Sequence, residues 1–194
     1  VGYANRGGNV EIKAYGVENI PSEGSFMFFP NHQGLYDVLA MIETSPIFFS
    51  VVVKKELMKI GFLRTVFKIM GAYAIDREDV RQSMKVIQSV SEDVKNGKSF
   101  LIFPEGTRSR NGNEIGEFKG GSFKSATKAK CPIVPVAIID SYKAFDTKSI
   151  EKVTVQVHYL EPLYYDDYKM LKTNEIAEIV SKKIKKTIDN YTKC

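Results

Sequence analysis

Five short apolar runs set the terms on which this chain can fold. They are Ser25–Pro30 (SFMFFP), Ile47–Val53 (IFFSVVV), Ser99–Phe103 (SFLIF), Ile133–Ile139 (IVPVAII) and Val153–Leu160 (VTVQVHYL). The first four carry almost no polar residues, as expected of strands buried on both faces. The fifth alternates, with Val153, Val155, Val157 and Tyr159 on one side. A shorter run, Tyr73–Ile75, reads as another strand. Between them lie segments of helical periodicity. Leu35 to Thr44 places Leu35, Val38, Leu39 and Ile42 on one face. Asp79 to Asn96 does so with Val80, Met84, Ile87, Val90 or Ser91, and Val94, and Gly97 stands ready to cap its end. Ser122 to Lys130 is a short helix, and a last helix begins near Thr173 or Asn174, with Ile176, Val180, Ile184 and Ile188 four apart. Strands alternating with helices predict the α/β class: a single domain over residues 1–194, with a mixed, mostly parallel sheet flanked by helices. Pro135 interrupts its strand and predicts an edge or a bulge there.

Composition narrows the function classes. The 194 residues carry a net charge of +5, which favours an anionic partner. No nucleic-acid-binding motif and no interleaving of aromatic with basic residues accompany that charge, so a nucleic-acid partner is not expected. With only His32 and His158, and with Cys131 and Cys194 far apart, neither a metal site nor a disulfide framework is predicted. A reducing, cytosol-facing compartment is the simplest expectation. The apolar run Pro46–Val53 is far shorter than the roughly 20 residues of a spanning helix. The chain begins at Val1 rather than Met, which leaves room for an upstream membrane segment.

The candidate chemistry begins after the first strand, in Asn31-His32-Gln33-Gly34-Leu35-Tyr36-Asp37. On a continuous helix His32 and Asp37 would not share a face. Across a strand-to-helix junction, with His32 in the turn and Asp37 in the first helical turn, the carboxylate reaches back to one imidazole nitrogen. That fixes the tautomer and lets the other nitrogen take a proton. No serine or cysteine nucleophile stands in an obvious motif, so the pair suits a base acting on the substrate's own hydroxyl.

Phe103-Pro104-Glu105-Gly106-Thr107-Arg108-Ser109 also follows a strand, where open α/β sheets gather their ligands. Gly106 permits close backbone approach, and the Gly106 and Thr107 N–H groups suit an anion. Arg108 suits a bidentate grip on phosphate, and Glu105 either holds that arginine or binds a substrate hydroxyl. Arg77, after Tyr73–Ile75, is either a second phosphate ligand or the partner of Asp76 or Asp79. Phe118–Ser122 reads as a turn into a helix, with Lys119 a charge near the site. Lys54–Met70 mixes lysines and Arg64 with apolar residues and reads either as a membrane-interface segment or as a core helix with a basic outer face.

Taken together, Asn31–Asp37, Gly71–Arg77, Phe103–Ser109 and Pro132–Val136 resemble, in order, the four sequence blocks of the glycerolipid acyltransferase family, over about residues 15 to 160. The resemblance implies that His32 is the catalytic base and Asp37 its partner, the two ends of the family's HX4D motif. It implies that Arg77, Glu105, Gly106, Thr107 and Arg108 bind the acceptor's phosphate. The implied reaction moves a fatty acyl chain from an acyl thioester, on coenzyme A or acyl carrier protein, to the hydroxyl of 1-acyl-sn-glycerol 3-phosphate (lysophosphatidate). The product is phosphatidic acid, a step of phospholipid biosynthesis. Transfer to glycerol 3-phosphate or another lysolipid, or non-catalytic lipid binding, are the alternatives. No bound cofactor or metal is implied. The partners are lysophosphatidate, the thioester, acyl carrier protein where it is the donor, and a membrane surface. The implied place is the cytoplasmic face of the membrane, peripheral or anchored. Gly34 and Ala74 depart from the family's commoner serine and larger apolar residue, which leaves acceptor and chain-length preference open.

Overall fold

The computed structural model describes residues 9–145 and 151–192. Seven strands form one sheet: β1 (Val10–Tyr15), β2 (Met27–Pro30), β3 (Ser50–Lys54), β4 (Tyr73–Ile75), β5 (Phe100–Leu101), β6 (Ile133–Ile139) and β7 (Val153–Tyr159). Their spatial order is β1-β7-β6-β2-β5-β3-β4. All neighbours pair in parallel except β6 and β7, which are antiparallel. The expected mixed, mostly parallel sheet is therefore what forms. Because β2 to β6 run the same way, the loops after β2, β4, β5 and β6 all emerge at one edge. That shared edge is what the site is built on.

Alternation along the strands divides the core in two. Phe28, Val51, Val53, Leu101, Val134, Val136 and Ile138 face one side, packed with the helices α1 (Asp37–Thr44) and α2 (Gly61–Ile69). Met27, Phe29, Phe100, Ile133, Ala137 and Ile139 face the other. There they meet α3 (Val80–Lys95), α4 (Lys124–Ala129) and a C-terminal helix, Thr173–Thr192. On that last helix Ile176, Val180, Ile184 and Ile188 are buried, as their spacing predicts.

Three local expectations are corrected. Pro135 is at no edge, because β6 pairs with β2 on one side and β7 on the other. It is tolerated because it sits just before the antiparallel ladder, which begins at Val136, while its carbonyl accepts from Leu160 N at 2.9 Å. Val80 and Met84 are 69% and 61% exposed. The packed stripe of α3 runs through Val86, Val90 and Val94, which turns those two to its shoulder; an apolar pattern of this density fits either phase. Phe48 is 70% exposed, because pairing of the third strand starts only at Ser50.

The Lys54–Met70 segment folds as a 3₁₀ turn, Lys55–Lys59, followed by α2. Leu57, Met58, Leu63, Val66, Phe67 and Met70 pack on the core. Lys59, Arg64 and Lys68 stay outside, beside Ile60 and Ile69, which are 51% and 75% exposed. The expected core helix is there, and so is an outer face that is both basic and apolar.

Candidate active site

Pro30 ends β2, and the chain turns through Asn31–Tyr36 into α1, whose first residue is Asp37. Asn31 anchors the turn to β6: its side chain donates to Ile138 O at 2.9 Å and accepts from Ile138 N at 2.7 Å. Asp37 is fully buried. Its Oδ2 accepts from Gln33 N at 2.7 Å and Gly34 N at 3.1 Å, and lies 2.6 Å from His32 Nδ1. Its Oδ1 accepts from the Ser141 hydroxyl. An ionised carboxylate only accepts, so Nδ1 of His32 carries the proton. Nε2 is then the nitrogen with a free lone pair. The imidazole stacks on Phe103 with ring centroids 4.0 Å apart, and its side chain keeps 22% of its surface open to solvent.

The loop after β5 is stitched to this turn. Glu105 is 3% exposed. One of its oxygens accepts from His32 N at 2.7 Å and the other from Gly116 N at 2.9 Å. Burial raises its pKa above the ordinary carboxylate value, while the two N–H donors act in the opposite sense. Glycine at 116 allows this close approach, since a Cβ there would lie 2.7 Å from the Glu105 carboxylate and push it aside. Ser109 N donates to His32 O at 2.9 Å. Both Glu105 oxygens are engaged by backbone amides, and through them it braces the His32 turn.

Two cations converge on Gly106, whose φ of +73° suits glycine. A Cβ there would stand 3.5 Å from Lys119 Nζ and 3.8 Å from Arg77 Cζ. Lys119 is held in place by its own N–H, which donates to Pro104 O at 3.0 Å. The acids offered as partners of Arg77 have other engagements. Asp76 pairs with Lys55, and Asp79 caps α3 by accepting from Gln82 N at 3.0 Å. Thr107 is exposed at the loop crest. Arg108, by contrast, lines a cleft of about 310 Å³ whose other walls are Gln33, Arg110, Gly112 and Tyr142. Four of the five expected phosphate ligands thus lie along the loop after β5, and Arg77 reaches that loop at Gly106 from the end of β4.

The residues that the sequence did not single out include Asp140 and Ser141 after β6 and Asn113 in the loop after β5. Ser141 bonds Asp37, and Gln33 Oε1 accepts from Ser141 N at 3.0 Å. Gln33 Nε2 donates to Asn113 Oδ1 at 2.8 Å, which also accepts from Asp140 N at 2.9 Å. This network locks three loops into one rigid crest. The second histidine is remote from it. His158 lies on β7, stacked on Tyr15 with centroids 4.5 Å apart, and burial pushes its pKa down to about 4. Among the described residues no group of three or more His, Cys, Asp or Glu is placed to hold a metal ion.

The comparisons fit this geometry. A family model described as acyltransferase matches residues 11–139, more than half of the chain. The 1-acyl-sn-glycerol-3-phosphate acyltransferase of Borreliella burgdorferi is 32% identical over 136 residues, covering 70% of this chain and 54% of that protein. The enzyme of the same name from Helicobacter pylori is 32% identical over 138 residues, 69% of this chain and 58% of that protein. The chain spans about half the length of the curated relatives it matches. A crystal structure of the 1-acyl-sn-glycerophosphate (LPA) acyltransferase from Thermotoga maritima shares the fold, with a TM-score of 0.82 at 23% identity over all of this chain and 78% of that one. In sequence and in fold alike, the chain belongs to the acyltransferase family.

Proposed function

We propose that the chain transfers a fatty acyl group from an acyl thioester to the free hydroxyl of 1-acyl-sn-glycerol 3-phosphate, forming phosphatidic acid. One observation carries this reading. A histidine oriented by a buried carboxylate stands on the same strand-end crest as a glycine turn flanked by two cations. Relatives bearing that enzyme's name support the choice of acceptor.

In this reading the acceptor phosphate rests on Arg77, Lys119 and the Gly106–Thr107 backbone, and Arg108 closes the site from the other side of the loop. Glu105 acts as a positioning residue. The acceptor hydroxyl lies against His32 Nε2, which removes its proton as the oxygen attacks the thioester carbonyl. The imidazolium, held by Asp37, then protonates the leaving thiolate. Holding both reactants in line supplies up to roughly 7–11 kcal/mol in favourable cases.

The deciding experiment measures thiol release and phosphatidic acid formation with acyl-CoA and acyl carrier protein donors crossed against lysophosphatidate and glycerol 3-phosphate. Transfer to glycerol 3-phosphate alone would overturn the acceptor assignment. Absence of transfer in every combination would overturn the activity. In the same assay Arg77→Ala should raise the lysophosphatidate KM about tenfold or more, the worth of one charge-assisted phosphate contact, with a smaller effect on kcat. An unchanged KM would move the phosphate elsewhere.

The outer face of α2 is proposed to rest on an anionic membrane surface, with Ile60 and Ile69 seated among headgroups and Lys59, Arg64 and Lys68 meeting lipid phosphates. Such a docking would set the crest near the lipid from which the acceptor comes. No helix among the described residues is long and apolar enough to cross a membrane. Sedimentation with vesicles should show binding to anionic lipid that weakens with salt; equal binding to neutral vesicles would remove the electrostatic part.

A further inference from the structure

Resting on the acyl-transfer reading, we propose that the cleft walled by Arg110 and Tyr142 is the docking site for the phosphate of the thioester donor, the phosphate ester that coenzyme A and the phosphopantetheine arm of a carrier protein share.

The proposed reaction brings two phosphate-bearing molecules to one histidine. The strand order places β6, β2, β5, β3 and β4 side by side. Arg77 follows β4 and meets Gly106, on the β5 side of His32. Tyr142 follows β6, and Gln33 beside it bonds Ser141, on the opposite side of the same histidine. The loop from Gly106 to Asn113 crosses over the crest, tied at its middle by Ser109 N to His32 O. Both of its arginines, Arg108 and Arg110, line the cleft on this second side, away from Arg77.

The second side is a built cleft. At about 310 Å³ it falls at the lower end of small-ligand sites. Its floor residue Gln33 is 2% exposed and holds Asn113 on one side and Ser141 on the other. Gly112 lies close to the Tyr142 side chain, where a Cβ would be 3.3 Å from the ring Cζ and from the hydroxyl. Arg110 adopts φ +61°, a left-handed conformation that a non-glycine residue takes only at a cost. The loop holds its cation there against that cost. The acid nearby, Asp140, is occupied by Asn113 Nδ2 at 2.9 Å and Lys143 Nζ at 3.0 Å. The lining of the cleft itself holds two arginines, Arg108 and Arg110, and no acid, and a guanidinium beside a phenol hydroxyl matches a phosphate ester. A donor anchored there lays its pantetheine arm along the loop toward His32, opposite the acceptor.

Calorimetric titration tests the site without turnover. Coenzyme A, 4′-phosphopantetheine and pantetheine are titrated into the wild-type chain and into Arg110→Asn, since Asn tolerates that φ; Arg110→Gly, free at that φ, repeats the measurement should the first variant fold poorly. Lys185→Gln, on the far side of the C-terminal helix, controls for net charge. Coenzyme A should bind at least tenfold more weakly to Arg110→Asn than to the wild type or the control. Pantetheine should bind weakly to all. Equal losses for coenzyme A and 4′-phosphopantetheine identify the pantetheine phosphate as the group held; a larger loss for coenzyme A adds its nucleotide phosphates. Unchanged coenzyme A affinity in Arg110→Asn, or pantetheine binding as tightly as coenzyme A, would overturn the proposal. Failure of the acyl-transfer reading would show separately, as intact coenzyme A binding with no transfer to any acceptor.

Discussion

Replacing His32 with Ala should lower kcat by about 10³-fold, within the 10²–10⁴ span typical of a positioned general base, and leave the fold in place. The prediction separates cleanly because this side chain carries little of the structure. Its backbone N–H remains on Glu105 and its carbonyl still accepts from Ser109. What is lost is the stack on Phe103 and the hydrogen bond from Nδ1 to Asp37. An aromatic stack of this kind contributes about 0.5–1.5 kcal/mol beyond its buried area, so unfolding should shift only modestly. Asp37 keeps its two backbone donors and Ser141. A folded variant whose kcat stays within tenfold of wild type would show that His32 is not the base. A variant that fails to fold would instead show the imidazole to be structural.

How legible this was in the sequence depends on how local each feature is. The buried strands are continuous apolar runs, and a short-range pattern suffices to find them. β1 escaped such reading because it is a terminal strand whose burial fades after Val10, leaving Lys13, Ala14 and Tyr15 exposed. His32 and Asp37 were readable for the same reason that β2 was: the strand, the turn and the helix start all lie within a dozen residues. Ser141 was invisible, since it reaches Asp37 across 104 positions and only the pairing of β2 with β6 brings them together. Glu105 shows the same limit from another direction. Beside Arg108 in sequence it reads as a salt-bridge or hydroxyl partner. Burial and two backbone amides, one of them from Gly116, add the task of bracing the His32 turn, which its neighbours in sequence do not disclose. The placing of Arg77 on one side of the crest and of Arg108 and Arg110 on the other is likewise a matter of strand order, which no spacing of residues encodes.

Asp37→Asn should be the most informative single change, because it removes charge while preserving shape. Four donors surround this fully buried carboxylate: Gln33 N, Gly34 N, His32 Nδ1 and Ser141 Oγ. An amide fits them only one way round. Its oxygen must take the Oδ2 position, where three N–H groups point, and its NH₂ must face Ser141. The serine can then accept from it and turn its own proton to Gln33 Oε1, 3.2 Å away. So accommodated, the variant should lose only about 1–3 kcal/mol of stability, the range for weakened buried hydrogen bonds. Asp37→Ala, with all four donors stranded, should lose more, about 3–5 kcal/mol. Activity should follow the charge instead of the shape. A neutral amide still orients the imidazole but no longer stabilises the imidazolium formed as the acceptor hydroxyl gives up its proton, and kcat should fall by about 10²–10⁴-fold with little change in lysophosphatidate KM. Denaturant unfolding and single-turnover transfer measured on both variants check the two halves independently. If Asp37→Asn turned over at a rate near that of the wild type, the carboxylate would be a structural cap of the His32 turn, and the negative charge beneath the imidazole would have no part in the chemistry.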